Sequence, residues 1–262
     1  MNLAKVFPFR RPSVSHPGPG LDAPRLRLVC LPYAGGAATI YRKWPDALPA
    51  TVEVCAVELP GRGVRFTEPP VADVVRVCDE IAAAIDQLPG DVPLAIFGHS
   101  MGARIAFELA RRFDGRVAHL FGSAAPAPGL RRHRPGHDHV RPVSELTDDD
   151  FKQRLRYLGG TPPQVLGNDE IMARVLPVLR ADFILIEQYR VEPGVRISAP
   201  ITVFTGVRDR GITASDDVVT AWRDRTAARS RIVELDAGHF FLETHRAHLF
   251  REILVDLAPW LT

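Results

Sequence analysis

A serine between glycines, Gly98-His99-Ser100-Met101-Gly102, is the segment of this sequence best suited to covalent chemistry. It follows the apolar run Leu94-Ala95-Ile96-Phe97 and precedes a helical pattern carrying Ile105, Phe107, Leu109 and Ala110. A G-x-S-x-G elbow needs that context: serine on a sharp strand-to-helix turn, with glycines where side chains would clash. The helix start then turns unbonded amide hydrogens toward the reacting oxygen. A serine hydroxyl is a weak nucleophile and needs a base. Of the nine histidines, His239 in Asp236-Ala237-Gly238-His239-Phe240-Phe241 fits best, in a loop after the last strand-like run. His99 lies inside the elbow and is expected to point away from the nucleophile. His119 falls in a strand, His16 in an N-terminal arm, and His245 and His248 in the C-terminal helix. His133, His137 and His139 cluster in a Pro/Arg-rich loop, but their irregular spacing argues for a solvated loop and against a metal site.

The base needs a carboxylate to fix its tautomer and stabilise the imidazolium. Asp209, in Thr205-Gly206-Val207-Arg208-Asp209-Arg210, comes shortly after the run Ile201–Phe204. The chain order Ser100, Asp209, His239 is then that of the α/β-hydrolases. The flanking arginines leave a surface ion pair as the competing reading of Asp209. Asp236 is too near His239 in sequence to reach the proper ring nitrogen, and Asp216 and Asp217 read as the start of a helix. An oxyanion hole needs two amide donors. Met101 supplies one as the residue after the nucleophile. The other is expected in the small, Gly-rich loop Pro32-Tyr33-Ala34-Gly35-Gly36-Ala37-Ala38, at Ala34 with Gly35 as the alternative. A phosphate-binding turn is the weaker reading of that loop, since neither G-x-G-x-x-G nor a GK[ST] ending is present.

These residues need a rigid frame. Six short strand-like runs occur: Arg27–Leu31, Val52–Val57, Leu94–Phe97, Ala118–Phe121, Ile201–Phe204 and Arg231–Leu235. Several are apolar on successive residues, as in parallel strands buried on both faces. Between them, Val71, Val74, Val75, Cys78, Ile81, Ala82, Ile85 and Leu88 recur at helical spacing. The alternation predicts an α/β class fold: a mostly parallel central sheet with helices on both faces. From about Arg131 to Tyr189 the patterns are helical only, which reads as an insertion able to act as a lid. Thr147 before Asp148, Asp149 and Asp150 is a helix start, Gly159-Gly160-Thr161-Pro162-Pro163 a stop, and Pro177 suits the first turn of a further helix toward Tyr189.

The chain has 262 residues, 46% hydrophobic and 24% charged, enough for one soluble domain with a buried site. A net charge of +2 gives no reason to expect nucleic acid or a membrane as partner. Cys30, Cys55 and Cys78 lie in apolar runs without CxxC spacing and read as reduced core thiols in a cytoplasmic protein. Residues 1–24 are rich in Pro and Gly and read as a disordered arm; 25–262 form the hydrolase domain. The absence of a preceding domain in the sequence favours a free-standing protein, with monomer as the default.

Longer stretches resemble one family, the type II (editing) thioesterases of nonribosomal peptide and polyketide synthase clusters. Leu31-Pro32-Tyr33-Ala34-Gly35-Gly36 with Tyr41 and Trp44 resembles its first loop and helix, and Glu58-Leu59-Pro60-Gly61-Arg62-Gly63 with Glu68-Pro69-Pro70 its second. Leu158-Gly159-Gly160-Thr161-Pro162 and Leu179-Arg180-Ala181-Asp182-Phe183 resemble its lid, and Gly238-His239-Phe240-Phe241-Leu242 its histidine segment. The chain departs at Arg210, where the family has Pro, and at Ala237, where it has Gly. The resemblance implies an α/β-hydrolase fold with a helical lid. It implies hydrolysis of acyl groups from the phosphopantetheine arm of acyl or peptidyl carrier domains, with no metal or organic cofactor, pantetheine being part of the substrate. Arg62, Arg65, Arg131, Arg132 and Arg134 are the cations offered to an acidic carrier. The rival expectations are a general carboxylesterase or acyl-CoA thioesterase, a synthase-integrated terminating thioesterase, and a non-catalytic carrier-binding module.

Overall fold

The computed structural model describes residues 2–10, 24–130, 141–209 and 217–262. All six expected runs are strands: β1 (Leu26–Leu31), β2 (Val52–Ala56), β3 (Leu94–His99), β4 (Val117–Ser123), β5 (Ile201–Gly206) and β6 (Ser230–Leu235). They pair in parallel in the order β2-β1-β3-β4-β5-β6. Every residue of β1 to β5 is buried, which is why these runs are apolar without alternation. The pleat still divides the side chains by face. Val29 and Leu31 join a core with Ile81, Ile85, Ile105 and Phe107, while Leu28 and Cys30 join Tyr41, Trp44, Phe250 and Ile253 on the other side.

Nine α-helices lie among the described residues: α1 (Leu3–Val6), α2 (Trp44–Ala47), α3 (Val74–Asp86), α4 (Met101–Arg112), α5 (Asp148–Leu158), α6 (Pro163–Leu166), α7 (Asp169–Gln188), α8 (Asp217–Thr220) and α9 (Arg246–Leu261). After β1 the chain steps outward to β2, then crosses back to β3. The order therefore reverses between β1 and β3, and the carboxyl ends of those two strands border a crevice. The Gly-rich loop leaves β1 there and the serine elbow leaves β3 there.

The insertion between β4 and β5 carries α5, α6 and α7 and no named strand among its described residues, and has a small core of its own, including Phe151, Leu155, Met172 and Leu176. Thr147 caps α5, its side chain accepting from the Asp150 N–H, and Gly159 ends that helix with φ 70°. Pro177 does not begin a helix. It lies inside α7, which is capped by Asn168, whose side chain accepts from the Ile171 N–H. A proline within a helix forfeits one backbone hydrogen bond, and burial of Leu176, Val178 and Leu179 around it offsets the loss.

The expected arm is also revised at its start. Asn2 caps α1, and Val6 and Phe7 are both buried in the core that holds Val29 and Leu31. The Glu58 N–H donates to the Val6 carbonyl at 2.9 Å, and Arg10 pairs with Glu53 at 2.7 Å. Leu3, Val6 and Phe7 thus supply an apolar set that the neighbouring Pro/Gly composition masked. The rest of the arm, 11–23, lies outside the described residues.

Candidate active site

The site is built from the ends of four strands. Ser100 follows β3 with φ 55° and ψ −112°, a backbone conformation costly for a residue with a Cβ. Its N–H donates to the Ser123 carbonyl at 2.7 Å, which ties the elbow to the end of β4. A Cβ at Gly98 would collide with the Gly102 carbonyl, and one at Gly102 with the Leu31 carbonyl of β1. Both glycines of the motif are therefore required by backbone crossing backbone. Met101 is the first residue of α4, so its N–H has no partner within the helix.

The loops after β5 and β6 are laced together. The Val207 N–H donates to Leu235 at 2.9 Å and the Arg208 N–H to Ala237 at 2.8 Å. A side chain at Gly206 would strike the Ala237 carbonyl, so glycine permits this approach. The result places Asp209 Oδ2 at 2.6 Å from His239 Nδ1. Asp209 is buried, and of its flanking arginines Arg208 turns away to Asp236 at the surface, while Arg210 lies outside the described residues. With Nδ1 engaged, Nε2 is the nitrogen left to serve a hydroxyl. The His239 ring lies 5.4 Å from that of His99, the residue before Ser100, which places the imidazole beside the elbow.

His99 is buried behind the site, its Nδ1 within 2.8 Å of Ser123 Oγ. Burial, and then the neighbouring His239, hold its imidazole well below the usual range. His99 is therefore neutral, and adds no second positive charge when His239 takes up a proton. Tyr33 and Phe240 complete an aromatic wall, Phe240 at 4.8 Å from His239 and 5.1 Å from Tyr33.

The loop after β1 forms a tight turn. The Gly36 N–H donates to Tyr33 O at 2.8 Å, and Gly35 at the third position has φ +77°, as in a type II turn. The Gly35 N–H donates to Asp182 Oδ2 at 2.7 Å. That bond occupies the alternative donor. The Ala34 N–H has no acceptor among the described residues, which favours Ala34 over Gly35 as the partner of Met101.

Two expectations fail on burial. Arg62 is directed inward and forms a bidentate pair with Asp182 of α7, at 2.8 and 2.7 Å. Arg65 is buried with Glu68 and Glu80. Neither guanidinium is available to an acidic partner. Arg131, Arg132 and Arg134, like His133, His137 and His139, lie outside the described residues. Among the described residues there is no cluster suited to a metal ion and no helix long and apolar enough to cross a membrane. The three thiols are buried and unpaired, with burial raising all of them.

A strained serine at the switch point of a parallel sheet, with a carboxylate-held imidazole arriving from the far strands, belongs to the hydrolases of the α/β-hydrolase fold. Comparison with known proteins narrows this. The chain belongs to the thioesterase domain family, whose model matches residues 26–257, and is a thioester hydrolase. It is 38% identical over 246 residues to the gramicidin S biosynthesis protein GrsT of Aneurinibacillus migulanus, a match covering 91% of this chain and 93% of that one. Thioesterase PikA5 of Streptomyces venezuelae is 34% identical over 250 residues, covering 94% and 83%. Among solved structures, the type II thioesterase BorB from the borrelidin biosynthetic cluster shares 34% identity and a TM-score of 0.76, over 94% of this chain and 95% of that one.

Proposed function

We propose that this chain hydrolyses acyl groups from the phosphopantetheine arm of acyl or peptidyl carrier domains, as an editing enzyme of a cytoplasmic synthase. The observation that carries the catalytic part is the 2.6 Å Asp209–His239 bond beside the strained Ser100 elbow. The similarity to GrsT, PikA5 and BorB supports the carrier-bound substrate.

The reaction runs in two halves. His239 Nε2 takes the Ser100 proton as Oγ attacks the thioester carbonyl, and Asp209 stabilises the imidazolium. The oxyanion is held by the Ala34 and Met101 N–H groups. The tetrahedral intermediate collapses, the C–S bond breaks, and the pantetheine sulfur leaves with the proton that His239 returns. Water then attacks the acyl-serine, His239 again acting as base, and the acid and Ser100 are released. A thiolate is a good leaving group, so little is demanded of the acid. No metal or organic cofactor enters either half. The helical insertion serves as the lid over the acyl chain.

The test compares one acyl group presented on a carrier domain, on coenzyme A, and as a simple oxygen ester. We expect the highest kcat/KM on the carrier thioester. Equal or better turnover of the oxygen ester would assign a general esterase instead, and preference for coenzyme A an acyl-CoA thioesterase.

A further inference from the structure

The Asp182–Arg62 pair joins segments 120 positions apart, and its place in the fold is unusual. Asp182 is on α7, in the insertion; Arg62 is in the loop after β2; and the group they share is the turn after β1. The Asp182 carboxylate is 1% exposed and takes three bonds, two from Arg62 and one from the Gly35 N–H. Arg62 Nη1 donates also to the Gly36 carbonyl at 3.2 Å. Three polar backbone groups around Ala34 are thus pinned: Tyr33 O by Gly36, Gly35 N–H by Asp182, and Gly36 O by Arg62. The Ala34 N–H shares a peptide plane with Tyr33 O, so fixing that carbonyl fixes its direction.

Apolar contacts repeat the pattern. A Cβ at Gly35 would lie 2.6 Å from Leu179, and one at Gly61 3.2 Å from Val178, both on the Asp182 face of α7. Helix α7 is therefore seated directly on the two catalytic-side loops.

We infer that Asp182, held by Arg62, is a positioning residue that sets the oxyanion turn and makes its geometry depend on the seating of α7. This rests on the proposed role of Ala34. If α7 lifts, Gly35 loses its acceptor, the turn is released, and Ala34 no longer points at the oxyanion. The insertion then governs the chemical step as well as access.

The test uses hexanoyl-pantetheine, which needs no carrier docking, with Asp182→Asn, Arg62→Lys, Arg180→Gln and Ser100→Ala. Arg180 is on the same helix, but it binds the Val143 and Leu146 carbonyls and Asp148, away from the turn. Removing an oxyanion donor costs about 10²–10³-fold in kcat. We expect Asp182→Asn to lower kcat by about tenfold or more, up to that range, with KM little changed. Affinity for a hexyl trifluoromethyl ketone, which forms the tetrahedral adduct, should fall by the same factor. Arg62→Lys, which retains the carboxylate and its bond to Gly35, should show a smaller loss of the same kind and serves if Asp182→Asn does not fold. Arg180→Gln should lower Tm while leaving kcat and ketone affinity unchanged. Wild-type kcat in the Asp182 and Arg62 variants, or losses equal to those of Arg180→Gln, would overturn the positioning role. Turnover surviving in Ser100→Ala would overturn the proposed mechanism instead, so the two failures are distinct.

Discussion

At Ser100 the backbone stores strain that the rest of the site uses. A positive φ at serine persists only where the surroundings enforce it, and here the Ser123 carbonyl and two glycines do so. Gly98→Ala would drive a methyl into the Gly102 carbonyl. We expect that variant to lose activity and to lower Tm, checked by thermal melting and turnover together. Asp209→Asn keeps the shape of its side chain but no longer fixes the His239 tautomer. In a Ser-His-Asp triad that substitution costs about 10⁴ in kcat, so a loss of about 10³–10⁴-fold with a near-native melting curve is expected. A loss under tenfold would return Asp209 to a structural role.

Among the elements, what was legible in the sequence follows from how local the signal is. Five of the strands, β1 to β5, announced themselves as apolar runs because each is buried on both faces, while β6, half-exposed, showed only through Ile232, Val233 and Leu235. Ser100, Asp209 and His239 could be placed because each falls just past such a run. Thr147 and Gly159 marked α5 by the local chemistry of caps. Pro177 misled, since a proline reads as a helix start unless tertiary packing outweighs it. The Asp182–Arg62 pair had no local signature, and an arginine in a polar stretch reads as surface until its partner folds onto it. Helix α1 was hidden for a different reason: four residues are too few for a periodicity. Phe7→Ala tests it. Truncating a buried phenylalanine costs about 3–5 kcal/mol. We therefore expect a clear drop in the urea midpoint, whereas a disordered arm would give none.

Across the whole molecule, α9 is fastened to the sheet by a buried polar network. Thr202 donates to Asp256 Oδ2 at 2.7 Å, so the 2.9 Å contact of its oxygen with His119 Nε2 requires that nitrogen to carry the proton. Burial, opposed by Asp256 and reinforced by Arg229 and Arg231, brings the His119 pKa down from 6.5 to about 4. The unfolded chain therefore binds this proton first as pH falls. The contribution is complete above about pH 6.5 and is lost as pH falls through about pH 4. Asp256, whose pKa is lowered, adds its own loss only at more acid pH. His119→Gln, which keeps an N–H for Thr202, should flatten the fall in Tm between pH 6.5 and 4 relative to wild type. An unchanged slope would mean that His119 is protonated in the fold.

Sheet, loops and insertion converge on one claim, that Ser100 receives the acyl group from a carrier-bound thioester. It is tested most directly by loading a carrier domain with an acyl-phosphopantetheine and following free-thiol release by wild type and Ser100→Ala. We expect rapid release by wild type and none above the uncatalysed rate by the variant. Release by Ser100→Ala at the wild-type rate would contradict it.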